Sequence, residues 1–160
     1  MSLIFGPVTA TALDALTGQG LVTAPKPQYA CPSLPRDLTA VGDENLMVLY
    51  SELTAYADFI SVQVSCAQID ERAVEKNLSA LELRKMLGSE GKSENRVTFA
   101  RAQVSIDPEV VALKNTLEET HAYRKLIEAM RDNVERDSSL VSRELTRRTS
   151  GAARSSRWAP

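Results

Sequence analysis

The sequence predicts an all-α fold: a long antiparallel, coiled-coil-like helical hairpin with a proline-rich N-terminal arm and a basic C-terminal tail. Three observations point there. Aromatic residues are only 5% of the 160-residue chain, so a core must come from Leu, Val, Ile and Ala, which suits helices packed on helices. After Asp43 no proline occurs for 64 residues, and no glycine before Gly88. Across that interval apolar residues recur in alternating steps of four and three, the period of a helix that buries one seam.

The arm comes first. Residues 1–42 hold five of the seven prolines: Pro7, Pro25, Pro27, Pro32 and Pro35. Proline removes backbone donors and restricts the residue before it, which excludes long regular elements between Leu21 and Arg36. A short helix fits Val8 to Thr17, with Leu13 and Leu16 on one face. The segment reads either as a flexible arm or as a partner-docking peptide. Leu3, Ile4 and Phe5 favour the second, being costly to leave in water.

Asp43 is a good N-cap for the first long helix, with Glu44 in the first turn to complement the dipole. The seam then runs Leu46, Tyr50, Leu53, Ala57, Ile60, Val64, Ala67, Glu71, Val74, Leu78, Leu81, Lys85. Ten of these twelve positions are apolar, with Glu71 and Lys85 as defects. A helix over 43–87 is about 68 Å long at 1.5 Å per residue, more than a compact domain of this mass spans. It needs a partner along its length.

Gly88 to Ser93 form a polar turn, and Ser93 can cap a short helix through Arg96, Phe99 and Ala102. Asp107-Pro108-Glu109 is a strong helix start: cap, proline at the first helical position, acid just inside. A second stripe follows through Val110, Leu113, Leu117, Thr120, Tyr123, Ile127, Met130, Val134, Val141 and Leu145, interrupted near Asp137. It predicts a helix to about Arg148, ended by Thr149-Ser150-Gly151. The chain thus divides into an arm (1–42), a hairpin (43–148) and a basic tail (149–160). Val62, Ile69, Leu83, Val111 and Leu126 lie off the seam, and a homo-oligomer is the economical way to cover them.

Chemistry-bearing motifs are few. Cys31 and Cys66 have neither disulfide-framework nor metal-ligand spacing, and His121 is the single histidine. Gly91-Lys92-Ser93 looks superficially like a phosphate-binding loop, but Met86 stands where the first glycine belongs and a helix, not a strand, precedes it. His121 beside Glu118 and Glu119 reads as a surface or interface histidine. Glu118, Glu119, Glu128 and Glu135 read as helix-surface partners of Lys114, Lys125, Arg124 and Arg131. The expectation is a non-enzyme with no cofactor and no metal. No apolar run approaches the roughly 18–20 residues of a membrane span, and MSLIF lacks a basic lead-in, so a cytoplasmic protein is expected.

Charge supplies the candidate site. The net −2 conceals a gradient: residues 43–88 carry four basic and eight acidic groups, while 138–160 carry five arginines against Glu144 alone. Arg143, Arg147, Arg148, Arg154, Arg157 and Trp158 combine forks that grip phosphates with a stacking surface for an unpaired base. The alternative is that these arginines complement a helix C-terminus and solubilise a tail. A weaker basic scatter near the hairpin turn, Arg72, Lys76, Arg84, Lys85, Lys92, Arg96 and Arg101, is interleaved with Glu71, Glu75, Glu82, Glu90 and Glu94.

Asn45-Leu46-Met47-Val48-Leu49-Tyr50-Ser51, opening the long helix, resembles the start of the helical region of UvsY-like recombination mediators of tailed bacteriophages. The glycine-containing turn and then Val104-Ser105-Ile106-Asp107-Pro108-Glu109-Val110-Val111-Ala112-Leu113-Lys114 are similar in order and spacing. Val141-Ser142-Arg143-Glu144-Leu145-Thr146-Arg147-Arg148 is similar to small helical proteins of actinobacterial phages. The resemblance covers about 43–148. It implies a ring-forming homo-oligomer in the host cytoplasm that binds single-stranded DNA and helps load a RecA-type recombinase in place of single-strand-binding protein. The family's basic cluster falls on Arg72, Lys76, Arg84 and Lys85; this chain is more acidic there, a departure that Arg147, Arg148 and Trp158 would offset.

The leading expectation is therefore a non-enzymatic, oligomeric single-stranded-DNA-binding mediator of recombination or replication. Its seam, in the hairpin or between subunits, takes in Leu46, Leu53, Ile60, Val64, Leu78, Leu81, Leu113, Leu117, Ile127 and Val134. The rival is a phage structural or adaptor protein acting through helix–helix packing.

Overall fold

The computed structural model describes residues 6–88 and 96–156, with backbone alone for 96–97 and 151–156. The chain is all-helical, and its two long helices pack together. In order it forms α1 (Pro7–Gly18), a 3-10 turn (Leu38–Ala40), α2 (Asp43–Gly88), α3 (Arg96–Ser105) and α4 (Pro108–Ser156). Among the described residues no helix is long and apolar enough to cross a membrane.

Local chemistry sets the ends. α1 starts on Pro7 and stops where Gly20 adopts a left-handed φ of 77°. There the Gly20 and Leu21 N–H groups donate to the Thr17 and Leu16 carbonyls, both at 3.0 Å. α4 opens as expected, with Asp107 Oδ1 accepting the Glu109 N–H at 3.0 Å and Pro108 in the first turn. α2 differs slightly from expectation: the Gly42 carbonyl accepts the Leu46 N–H at 3.0 Å, so Asp43 lies inside the first turn rather than at the cap. At the other end α4 passes Thr149-Ser150-Gly151 and continues to Ser156 instead of stopping near Arg148. A helical glycine costs only about 1 kcal/mol, and the Ala-Ala-Arg that follows has high helix propensity.

The structure divides into two compact units. One unites Met1–Leu21 with Val64–Leu126, the other Val22–Gln63 with Ile127–Pro160. In the first, Leu78 of α2, Val104 of α3 and Val110 of α4 form a buried cluster, flanked by Leu81, Met86, Leu113 and Leu117. Each fully buried aliphatic side chain contributes about 1.5–3 kcal/mol of transfer free energy. Ala100 and Val104, four apart, are the face α3 buries, while Phe99 is exposed. Within this unit α2 and α4 run antiparallel. Moving back along α2 from Lys85 through Glu82 to Glu71, the ion-pair partners move forward along α4 from Asp107 and Glu109 through Lys114 to His121 and Arg124.

In the second unit Leu46, Leu53, Tyr56 and Ile60 of α2 and Ile127, Val134 and Val141 of α4 are buried. Tyr56 donates its hydroxyl to the Tyr29 carbonyl and meets the Tyr29 ring edge-on at 5.6 Å, anchoring the proline-rich segment. Gln63 is buried, and its Oε1 has no hydrogen-bond partner among the described residues.

None of the twelve α2 seam positions is exposed. On α4 the stripe differs at two places: Tyr123 and Met130 are exposed, and Arg124 and Arg131 stand at the half-buried positions beside them. Strict four–three steps from Val110 land on the arginines, not their apolar neighbours. Arginine tolerates the site because its stem packs while its fork reaches a carboxylate: Glu71 of α2 for Arg124, and Asp132 and Glu135 of its own helix for Arg131.

Candidate nucleic-acid interface

The C-terminal part of α4, in the second unit, carries an outward row of cations. Arg136, Leu140, Arg143 and Arg147 are spaced four, three and four residues apart, so they share one helix face. All four are exposed, away from the buried positions Val134, Val141 and Glu144. Because the helix runs on to Ser156, Arg154 follows in the same periodicity, although its side chain lies outside the described residues. Arg157 and Trp158 lie outside them altogether.

Glu144 is the only acid among residues 138–150, and the helix hides it. Its carboxylate is buried beneath two guanidinium groups. Arg147 donates twice at 2.7 Å and Arg148 Nε once at 2.7 Å. Those bonds, Arg147's first, hold its pKa down to about 2 against burial. Between Ser138 and Ser150 the exposed charge is therefore that of Arg143 and Arg147.

Arg148 has a different task from the one its sequence position suggested. Besides Glu144 it donates through Nη1 to the Val41 carbonyl (2.8 Å) and Asp43 Oδ1 (2.5 Å). Nη2 donates to the Leu38 (2.9 Å) and Thr39 (3.1 Å) carbonyls. A guanidinium has five N–H donors, and all five are engaged. This arginine clamps the 3-10 turn and the start of α2 onto α4 and has none left for a phosphate.

The α2 set divides the same way. Arg72, Lys76 and Arg84 are exposed. Lys85 is half-buried between Asp107 (2.8 Å) and Glu109 (2.7 Å), which raise its pKa, Asp107 most, while Lys85 lowers that of Asp107. It pins the end of α2 to the start of α4. A cavity of about 460 Å³ beside this pair is lined by Arg84 and Gln103 among others, with its lysine and both acids already paired.

Two of the cations expected to pair along the α4 surface reach across to α2. Lys114 bridges to Glu82 (3.0 Å), and Arg124 joins His121 on Glu71, whose Oε1 lies 2.7 Å from the histidine Nδ1. Burial pushes the Glu71 pKa up, but hydrogen bonds from Arg124 and His121 outweigh it and leave the carboxyl lowered. Among the described residues no cluster of three metal-ligating side chains occurs, and both cysteines are free.

Sequence reasoning missed the role of Glu144. Its spacing of three and four residues from Arg147 and Arg148 is the signal that could have found it. No protein-family model, curated protein or solved structure matches this chain.

Proposed function

We propose that this chain is a non-enzymatic helical protein that binds single-stranded nucleic acid through the outer arginine face of α4. The observation that supports this most is the row of Arg136, Arg143 and Arg147 on exposed helix surface, with Glu144, the one acid of residues 138–150, buried. Phosphates accept hydrogen bonds from guanidinium groups, and the row sets these along a line: Arg143 with its fork, and Arg136 and Arg147 with the N–H groups that do not face Asp137 and Glu144. Arg154, Arg157 and Trp158 extend the proposed surface, the tryptophan as a stacking platform. Arg72, Lys76 and Arg84 form a second, weaker phosphate-contacting set on α2. Arg148 and Lys85 are excluded from both sets by their internal partners. A role in loading a RecA-type recombinase onto DNA, as a homo-oligomer, would build on this binding.

The test is a titration of a fluorescently labelled oligonucleotide by anisotropy at several salt concentrations. Binding whose log affinity falls linearly with log salt supports the reading, since each neutralised phosphate releases counterions. No binding at low salt overturns it.

A structural or adaptor role through helix packing is the second reading. It is favoured by Leu83, Leu87, Phe99 and Ile106, all in the first unit and each more than half exposed. Pull-down of a helical partner that Leu87→Glu abolishes, with no oligonucleotide binding, would favour it.

A further inference from the structure

In the first unit α1 lies on α2 through few contacts. Of its twelve residues only Thr9 is buried and only Leu13 half-buried; the rest, including Val8 and Leu16, are exposed. A twelve-residue helix is marginal in water without packing, so what holds α1 matters.

Among the described residues the hold is polar and centred on Asp70. Gly6, the N-cap of α1, has no side chain with which to cap the helix, and Asp70 of α2 does so instead. Its Oδ2 accepts the Gly6 N–H at 3.1 Å, and its Oδ1 accepts the Thr9 hydroxyl at 2.6 Å. The same hydroxyl lies 3.4 Å from the Cys66 carbonyl, one helical turn back along α2. A carboxylate at a helix N-terminus also meets the positive end of the helix dipole. The fit is tight, since a Cβ at Gly6 would stand 2.6 Å from Asp70 Oδ1.

We infer that α1 is a releasable strap: Asp70 latches it to α2, and it opens without unfolding the helix pair. The cluster of Leu78, Val104 and Val110 in this unit lies on α2, α3 and α4 and includes no residue of α1. Opening uncovers the Asp70 carboxylate and the α2 surface around Cys66. That thiol is buried in the closed form, and burial, then Asp70, pushes its pKa up.

Hydrogen exchange by mass spectrometry on the full chain tests this, comparing the native protein with Asp70→Ala and Gly6→Ala. One variant removes the latch from α2 and the other crowds it from α1. The strap predicts that amides of 7–18 lose protection by about tenfold or more in both variants, the cost of a hydrogen-bonded carboxylate. Amides of 74–86 and 108–120 should exchange as in the native protein. Unchanged protection of 7–18 in both variants overturns the inference. So does loss of α1 protection only together with that of α2 and α4, which would make α1 part of the cooperative core.

Discussion

The two units place their charges differently. In the first, ion pairs and a histidine contact join the two long helices: Glu71 to Arg124 and His121, Glu82 to Lys114, Lys85 to Asp107 and Glu109. In the second, Arg131 pairs with Asp132 and Glu135 of its own helix, and Arg147 with Glu144. Arg148 alone of these also reaches α2, at Asp43. In the first unit Lys85, Lys114 and Arg124 join α2 to α4 while Arg72, Lys76 and Arg84 face outward, whereas in the second Arg136, Arg143 and Arg147 face outward along one side of α4. Counting basic residues therefore misjudges what an anion can reach, because partners decide which cations remain.

The largest effect should come from placing a charge where no partner answers it. Glu71 is a seam acid answered by two α4 side chains, whereas Ile60 is buried in the second unit among aliphatic positions. Ile60→Asp should cost about 3 kcal/mol or more, or prevent folding, as measured by denaturant unfolding. A neutral outcome would mean that the second unit tolerates seam charge as the first does.

Removing the clamp comes next. Arg148→Ala deprives three backbone carbonyls, Asp43 and the buried Glu144 of a donor. The expected result is a lower Tm and faster exchange of amides 38–46, with oligonucleotide affinity little changed. A strong loss of affinity with unchanged Tm would return Arg148 to the nucleic-acid face.

Acid should weaken both units. Glu144 has a folded pKa of about 2 against an ordinary 4.5, and Glu71 and Asp107 are also lowered. Carboxylates depressed in the folded state contribute stability that is present above their ordinary values and lost as pH falls through the folded ones. Stability should therefore decline from about pH 4.5 toward 2, and Glu144→Gln should flatten that decline in a pH series of Tm values.

The smallest effect is of opposite sign. Gln63 buries an amide oxygen with no partner among the described residues, so Gln63→Met, similar in volume and apolar, should stabilise by about 1 kcal/mol in urea unfolding. Destabilisation would show that the amide has a structural use.

Much of this fold was legible because its determinants are local. The uninterrupted run after Asp43, the Leu46-to-Lys85 periodicity and the Asp107-Pro108 start each act within a few turns of helix. What escaped depends on residues far apart in sequence. Nothing beside Tyr123 indicated that Arg124 would take the seam, because its partner Glu71 is 53 positions away. The latch between Thr9 and Asp70 spans 61 positions, and the clamp from Arg148 to Leu38 spans 110. The end of α4 differs from expectation for a local reason: Gly151 predicts a stop, but alanines follow it and the helix continues. For the site, arginine spacing was visible, but which forks were already occupied was not.

The most direct measurement is the salt dependence of oligonucleotide binding, by anisotropy, for three proteins: native, Arg143→Ala/Arg147→Ala, and Arg72→Ala/Lys76→Ala/Arg84→Ala. If the outer face of α4 carries the phosphate contacts, the α4 variant should lose affinity, and its slope of log affinity against log salt should shrink by about 1–2. The α2 variant should change less. An α4 variant with native affinity and slope, beside an α2 variant that has lost both, would contradict the account.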